Sequence, residues 1–204
     1  SKIVHPQRVA STDGRTNILL LAVDSRGDID SRCPEGTGGG PGLTDTIILA
    51  SLGIKEKDVK LISLPRDLWV ETGYFSGKIN EAYSFGGGGV EGADLLSRVV
   101  GGITGVPVHY YAIVDFKGFE KAIDVLGGVE VDVARSFDDY KYPIRGEECA
   151  EKEEDKWEHI HFDSGTQSMG GERALKFVRS RHSQGPEGSD FARSRRQHKV
   201  LLAV

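Results

Sequence analysis

Apolar and polar residues alternate along this chain on two different rhythms, and the rhythms predict the elements. Asn17 to Val23 (NILLLAV) is a continuous apolar run ending at Asp24. Its length and its lack of polar alternation fit a strand buried on both faces. Thr46 to Leu52 and Val59 to Leu64 read as two more strands, and the turn Ile54 to Asp58 between them predicts a hairpin. Leu95, Leu96, Val99, Val100 and Ile103 recur at helical spacing, so Val90 to Ile103 is expected to be a helix. Further helices are expected over Ile79 to Phe85, Phe116 to Leu126, Gly170 to Arg179 and Asp190 to Val204, the last capped by Ser189. His109 to Val114, Gly128 to Val133 and Glu158 to Phe162 complete the strands.

Between these elements the chain carries loop composition. Residues 1–16 are polar and read as a lead-in, with residues 17–204 as one domain. Residues 25–42 are rich in glycine and hold two prolines, which predicts a long loop. A second loop follows Pro65, and residues 134–157 read as a charged, irregular surface excursion. Helices interleaved with strands imply an α/β domain with helices on both faces of a central sheet. The hairpin makes that sheet mixed rather than purely parallel.

Composition changes the picture in two places. Charged residues make up 28% and hydrophobic residues 38%, the balance of a folded globular domain. No apolar run approaches the roughly 20 residues that a membrane helix needs. Net charge is −5, which argues against nucleic acid as the partner. Yet Glu172 to Lys199 holds eight Lys or Arg against three acids, which points to a local anion site. Cys33 and Cys149 have no metal-ligand spacing. They either close a disulfide in an oxidising compartment or are two unrelated thiols.

Three constellations can carry chemistry. Asp24 ends the first strand and Asp45 begins the second. Side by side they could hold Mg²⁺, which takes one or two carboxylates plus phosphate oxygens; otherwise each caps its loop. Arg179 and Arg181 follow one helix, and Arg193 and Arg196 share a face of the next, with Asp190 and Gln197 beside Arg193. The planar guanidinium fork suits phosphate; the alternative is a solvated basic face. Arg66 and Asp67 leave a strand after Pro65, either as a phosphate contact with its orienting acid or base, or as a surface ion pair. Two weaker features are the glycines 86–89, which lack the Lys-Ser/Thr of a phosphate loop, and His159 with His161. Those histidines share a strand face near Glu158 and Asp163, an incomplete set for a transition metal.

Taken in order, NILLLAVDSR (17–26), LTDTIILASL (43–52), VKLISLPRDLWV (59–70), KINEAYSFGG (78–87), residues 106–133 and ALKFVRSRHSQGPEGSDFARSRRQHKV (174–200) resemble the LytR–CpsA–Psr family. The resemblance runs from Asn17 to near the end of the chain. It implies a three-layer α/β/α sandwich with a mixed central sheet and a hydrophobic pocket for a polyprenyl tail. It implies a Mg²⁺-dependent phosphotransferase that moves a polyprenyl-diphosphate-linked glycan onto a hydroxyl of peptidoglycan or a similar cell-wall acceptor, releasing polyprenyl phosphate. The alternative is a polyprenyl-phosphate-binding or pyrophosphatase-like module of the envelope without transfer activity. By the resemblance, Asp24 and Asp45 are the metal carboxylates. Arg66, Asp67, Arg179, Arg193 and Arg196 are catalytic, and Arg26, Lys78, Arg181, Asp190 and Gln197 bind substrate. The implied place is the outer face of the cytoplasmic membrane, with an anchor N-terminal to this chain. Two positions depart from the family pattern: Leu43 stands where an arginine is usual, with Arg32 as a substitute contact, and His198 stands where a second glutamine is usual.

Overall fold

The computed structural model describes residues 10–23, 42–147 and 149–204. Asp24, Arg26, Arg32 and Cys33 lie outside the described residues. The described chain divides into two compact units, residues 10–23 with 42–114, and residues 115–204.

The first unit is built on a four-stranded sheet. Its strands are β1 (Arg15–Val23), β2 (Thr44–Gly53), β3 (Asp58–Leu64) and β6 (Tyr110–Val114), in the order β3-β2-β1-β6. β1 and β2 are antiparallel, as are β2 and β3, whereas β6 runs parallel to β1. The sheet is therefore mixed, as the predicted hairpin required. Leu19, Leu21, Val23, Ile47 and Leu49 point to one face. There they meet Ile79, Ala82 and Tyr83 around α1 (Glu81–Phe85) and Ala93, Leu96, Val99 and Val100 of α2 (Gly89–Thr104). Ile48 and Ala50, on the opposite face, are buried as well. Burial on both faces is why β2 reads as an unbroken apolar run rather than an alternating one.

Two local readings need correction. The lead-in ends earlier than expected, because β1 begins at Arg15. Arg15 donates to Ser51 Oγ at 2.8 Å and pairs with Asp58 at 2.7 Å, which ties the strand's first residue across the sheet. The loop after Pro65 contains a small hairpin of β4 (Trp69–Glu71) and β5 (Ser76–Lys78), with Trp69 opposite Lys78.

The second unit packs α3 (Phe116–Val125), α4 (Gly171–Arg179) and α5 (Asp190–Ala203) with two strand pairs. β7 (Val129–Val133) pairs antiparallel with β10 (Gly165–Met169), and β8 (Phe137–Pro143) with β9 (Trp157–Phe162). β8 occupies the stretch expected to be irregular. Its Phe137 and Tyr142 are core residues, and Phe137, Phe162 and Phe177 form an aromatic cluster with centroids 5.1 to 6.1 Å apart. Gly171 lets α4 start against the α3 backbone, since a Cβ there would collide with Glu120 O. Ser189 caps α5 as expected, accepting from Ala192 N at 3.2 Å. Among the described residues no helix is long and apolar enough to cross a membrane. Cys149 is disulfide-bonded.

Candidate functional site

The register of the β2–β3 hairpin builds the first cluster. Ile47 faces Leu64 across the ladder. Continuing two residues further sets Asp45 opposite Arg66, and Arg66 Nη1 donates to Asp45 Oδ1 at 2.7 Å. The same guanidinium lies 3.4 Å from Asp67 Oδ2 through Nε. The β4–β5 hairpin then returns the chain so that Lys78 Nζ sits 3.0 Å from Asp67 Oδ1, eleven residues away in sequence. Asp45, Arg66, Asp67 and Lys78 thus form one chain of alternating charge at one end of the sheet. Val23, the residue before Asp24, pairs with Thr44 at that same end.

Electrostatics fix the charge states. Burial opposes the charge on Arg66, but Asp45 and then Asp67 hold its pKa above the ordinary value. Lys78, followed by Arg66, holds the Asp67 carboxyl below its ordinary value. A carboxylate stabilised in this way is a poor proton acceptor near neutral pH, so the geometry suits Asp67 to orient Arg66. Arg66 remains about one-third exposed, and its Nη2 makes no hydrogen bond among the described residues. Asn80 was not singled out from the sequence. Its carbonyl accepts from Thr44, its N–H donates to Arg66 O at 3.2 Å, and its side-chain Oδ1 is buried without a hydrogen-bond partner among the described residues. From one backbone position it ties Thr44, the residue before Asp45, to Arg66.

In the second unit the basic block is largely compensated. Lys176 pairs with Glu158 and Glu172, Arg193 with Asp190 at 2.9 Å, and Lys199 with Asp132 at 3.0 Å. Arg179 lies over the Phe116 ring, 3.8 Å from its centroid, and donates to the Tyr142 hydroxyl at 3.4 Å. Arg181 directly follows Ser180 on the turn after α4, and Gln197 is half-buried on α5.

Arg196, expected at the site, lies inside the second unit in this structure. It is 3% exposed. Nε donates to Phe177 O at 2.9 Å, Nη2 to Ser180 O at 2.7 Å, and Nη1 to both the carbonyl and the carboxylate of Glu187. Four of its five N–H donors are taken up inside the protein, so in this structure it acts as a strut for the turn after α4.

The same turn is also held by Asp139, which the sequence reading missed. It is buried within β8. Oδ2 accepts from Ser180 Oγ, Arg181 N and His182 N at 2.7 to 3.1 Å, and Oδ1 accepts from Lys141 N. Burial alone would raise its pKa, but these hydrogen bonds hold it below the ordinary value. Its contribution is therefore complete above the unfolded carboxyl pKa near 4 and is lost as pH falls through the lower native value. Asp139→Asn is expected to destabilise the chain by about 2 kcal/mol at pH 7, with the gap to wild type narrowing toward pH 3 in thermal melts. A gap that stays constant with pH would remove the charged carboxylate from this account.

The histidine pair resolves differently from a metal site. His159 and His161 both bond Asp138 Oδ1, at 2.7 and 2.8 Å, and His161 also bonds Asp163. Among the described residues no group of three His, Cys, Asp or Glu is placed to hold a metal.

Comparison with known proteins places the chain in a family. The LytR_cpsA_psr family model matches residues 2–204. The chain is 34% identical over 190 residues to the polyisoprenyl-teichoic acid–peptidoglycan teichoic acid transferase TagU of Bacillus cereus, covering 92% of this chain and 51% of that protein. The crystal structure of B. subtilis TagV superposes with a TM-score of 0.65 at 30% identity, over 95% of this chain and 64% of that one. TagT bound to LIIa-WTA superposes with a TM-score of 0.65 at 26% identity, over 96% and 65%. The chain spans about half the length of the curated relatives it matches. This chain belongs to the LytR–CpsA–Psr family.

Proposed function

We propose that this chain carries the transfer centre of a phosphotransferase that moves a polyprenyl-diphosphate-linked glycan onto a hydroxyl of peptidoglycan or a similar cell-wall acceptor. Polyprenyl phosphate is the leaving product. The observation that carries this reading is the match to a named teichoic acid transferase over 92% of the chain. The name of that relative, a polyisoprenyl-teichoic acid–peptidoglycan teichoic acid transferase, supports a polyisoprenyl-linked donor.

The mechanism follows from what phosphoryl transfer needs: positioned oxygens and stabilised charge, with little covalent work for the protein. Arg66 presents Nη2 while Asp45 and Asp67 hold its plane, so its fork is pre-oriented toward a phosphate oxygen. Lys78 balances Asp67. Arg179, Arg181 and Arg193, with Asp190 and Gln197, are the family-motif residues of the second unit, and Arg179 is held flat by Phe116. A cation is also part of this reading. Asp45 is a partly exposed, hard-oxygen ligand of the kind Mg²⁺ uses together with phosphate oxygens and water. Asp45, with Asp24, would hold Mg²⁺, which would supply charge neutralisation of the diphosphate.

The cell envelope is the place where such a donor and acceptor meet. The disulfide at Cys149 supports the outer face, since structural disulfides persist in oxidising compartments. Leu43 is exposed at the position where the family usually has arginine, which keeps lipid binding without transfer as the second reading. Incubation with a polyprenyl-diphosphate glycan, peptidoglycan and Mg²⁺ separates them. Transfer predicts polyprenyl phosphate together with glycan on the acceptor, halted by a chelator and restored by Mg²⁺. Free glycan phosphate would mean hydrolysis, and intact donor would mean a binding module. Turnover unaffected by the chelator would remove the metal.

A further inference from the structure

The second unit holds a cleft of about 510 Å³ between α3, α4 and the β8–β9 pair, a size in the roughly 300–1,000 Å³ range of small-molecule sites. Its polar lining alternates in sign: Glu120, Glu158 and Glu172 against Arg145, Lys176 and Arg179. Lys176 Nζ lies 3.0 Å from Glu158 Oε1 and 2.9 Å from Glu172 Oε1, and Arg145 Nη2 lies 3.3 Å from Glu120 Oε1. Three carboxylates against three cations leave no net charge. A polyanion such as a diphosphate is disfavoured there, because an oxygen drawn to Lys176 also meets two carboxylates. A ligand rich in hydroxyls and amides meets acceptors and donors in turn. Ile144, Pro143 and Leu175 add an apolar wall suited to the C–H face of a sugar ring. Arg179, a family-motif arginine, lines the same cleft.

We propose that this cleft is the acceptor subsite: it holds an N-acetylated, carboxylate-bearing saccharide of the cell wall, with its acceptor hydroxyl toward Arg179. This rests on the transferase reading and adds to it where the acceptor binds and by what chemistry. The carboxylates accept from sugar hydroxyls and amide N–H groups. Arg145 receives the ligand's carboxylate. The charge-balanced lining favours such a saccharide over the donor's diphosphate.

The test is binding, so it needs no turnover. The probe is a soluble N-acetylglucosaminyl-N-acetylmuramyl dipeptide, titrated into the chain and followed by backbone amide NMR. Saturable shifts are expected at the cleft residues. Arg145→Glu is expected to weaken the fragment by about tenfold or more, the effect of roughly 1.4 kcal/mol, and to leave binding of a polyprenyl diphosphate within about twofold. Arg145 is 41% exposed, and Glu172→Gln, on a side chain 78% exposed, gives a second variant with the same expected direction. Absent or displaced shifts, or equal affinity in both variants, would overturn the subsite. Failure of the wild-type chain to bind polyprenyl diphosphate in parallel samples would instead count against the transferase reading.

Discussion

Replacing Arg66 by alanine is expected to lower glycan transfer by about 100- to 1,000-fold, the cost of removing one charge-stabilising donor from a phosphoryl or acyl transfer site. Arg66 is held at 2.7 Å by Asp45 and at 3.4 Å by Asp67, and its Nη2 makes no hydrogen bond among the described residues. The loss should fall on kcat more than on donor KM, because the guanidinium meets its strongest charge in the transition state. Arg66→Lys should recover only part of the rate, since an ammonium keeps the charge but not the fork that two carboxylates orient. The side chain is partly exposed, so the melting temperature should stay close to wild type. A folded Arg66→Ala protein with wild-type turnover would remove Arg66 from the reaction.

Arg196→Ala is expected to act on stability instead. It leaves the carbonyls of Phe177, Ser180 and Glu187 and the Glu187 carboxylate without their buried donor. Breaking a buried charged network of this kind costs about 3–5 kcal/mol. For a chain of this size that is a fall of roughly 10 °C in melting temperature. Activity should be lost only in step with the folded fraction and should return at low temperature. An Arg196→Ala protein that melts like wild type but has lost transfer would restore Arg196 to the active site.

These two arginines show what could be read from the sequence and what could not. Residue type and spacing left both as phosphate contacts or as surface charges, and the family resemblance made both catalytic. The i, i+3 spacing of Arg193 and Arg196 does place them on neighbouring positions of one helix. It does not reveal that Arg196 lies inside, because its long side chain reaches carbonyls at 177, 180 and 187, which only the folded turn brings together. Arg66 was singled out with Asp67, whereas its pairing with Asp45, which had been set beside Asp24, emerges only from the register of the folded hairpin. The contact of Lys78 with Asp67 was not legible either, because it depends on strands of three residues each, too short to show a rhythm.

The same contrast holds for the fold. Strands buried on both faces, such as β2, announce themselves as apolar runs. β8 does not, because its buried positions include Asp139, and a carboxylate in the core breaks the pattern that marks the strand. Asp139 stays in the core because Ser180, Arg181, His182 and Lys141 together satisfy its oxygens. Three of those four donors lie about forty residues away in sequence.

The central claim is that Arg66, and not Arg196, handles the donor's phosphates. A structure of the chain with a polyprenyl-diphosphate saccharide tests it most directly. The account predicts a phosphate oxygen within hydrogen-bonding distance of Arg66 Nη2, with Arg196 still bound to its three carbonyls. A head group bound away from Arg66, or one that draws Arg196 out to meet it, would contradict the account.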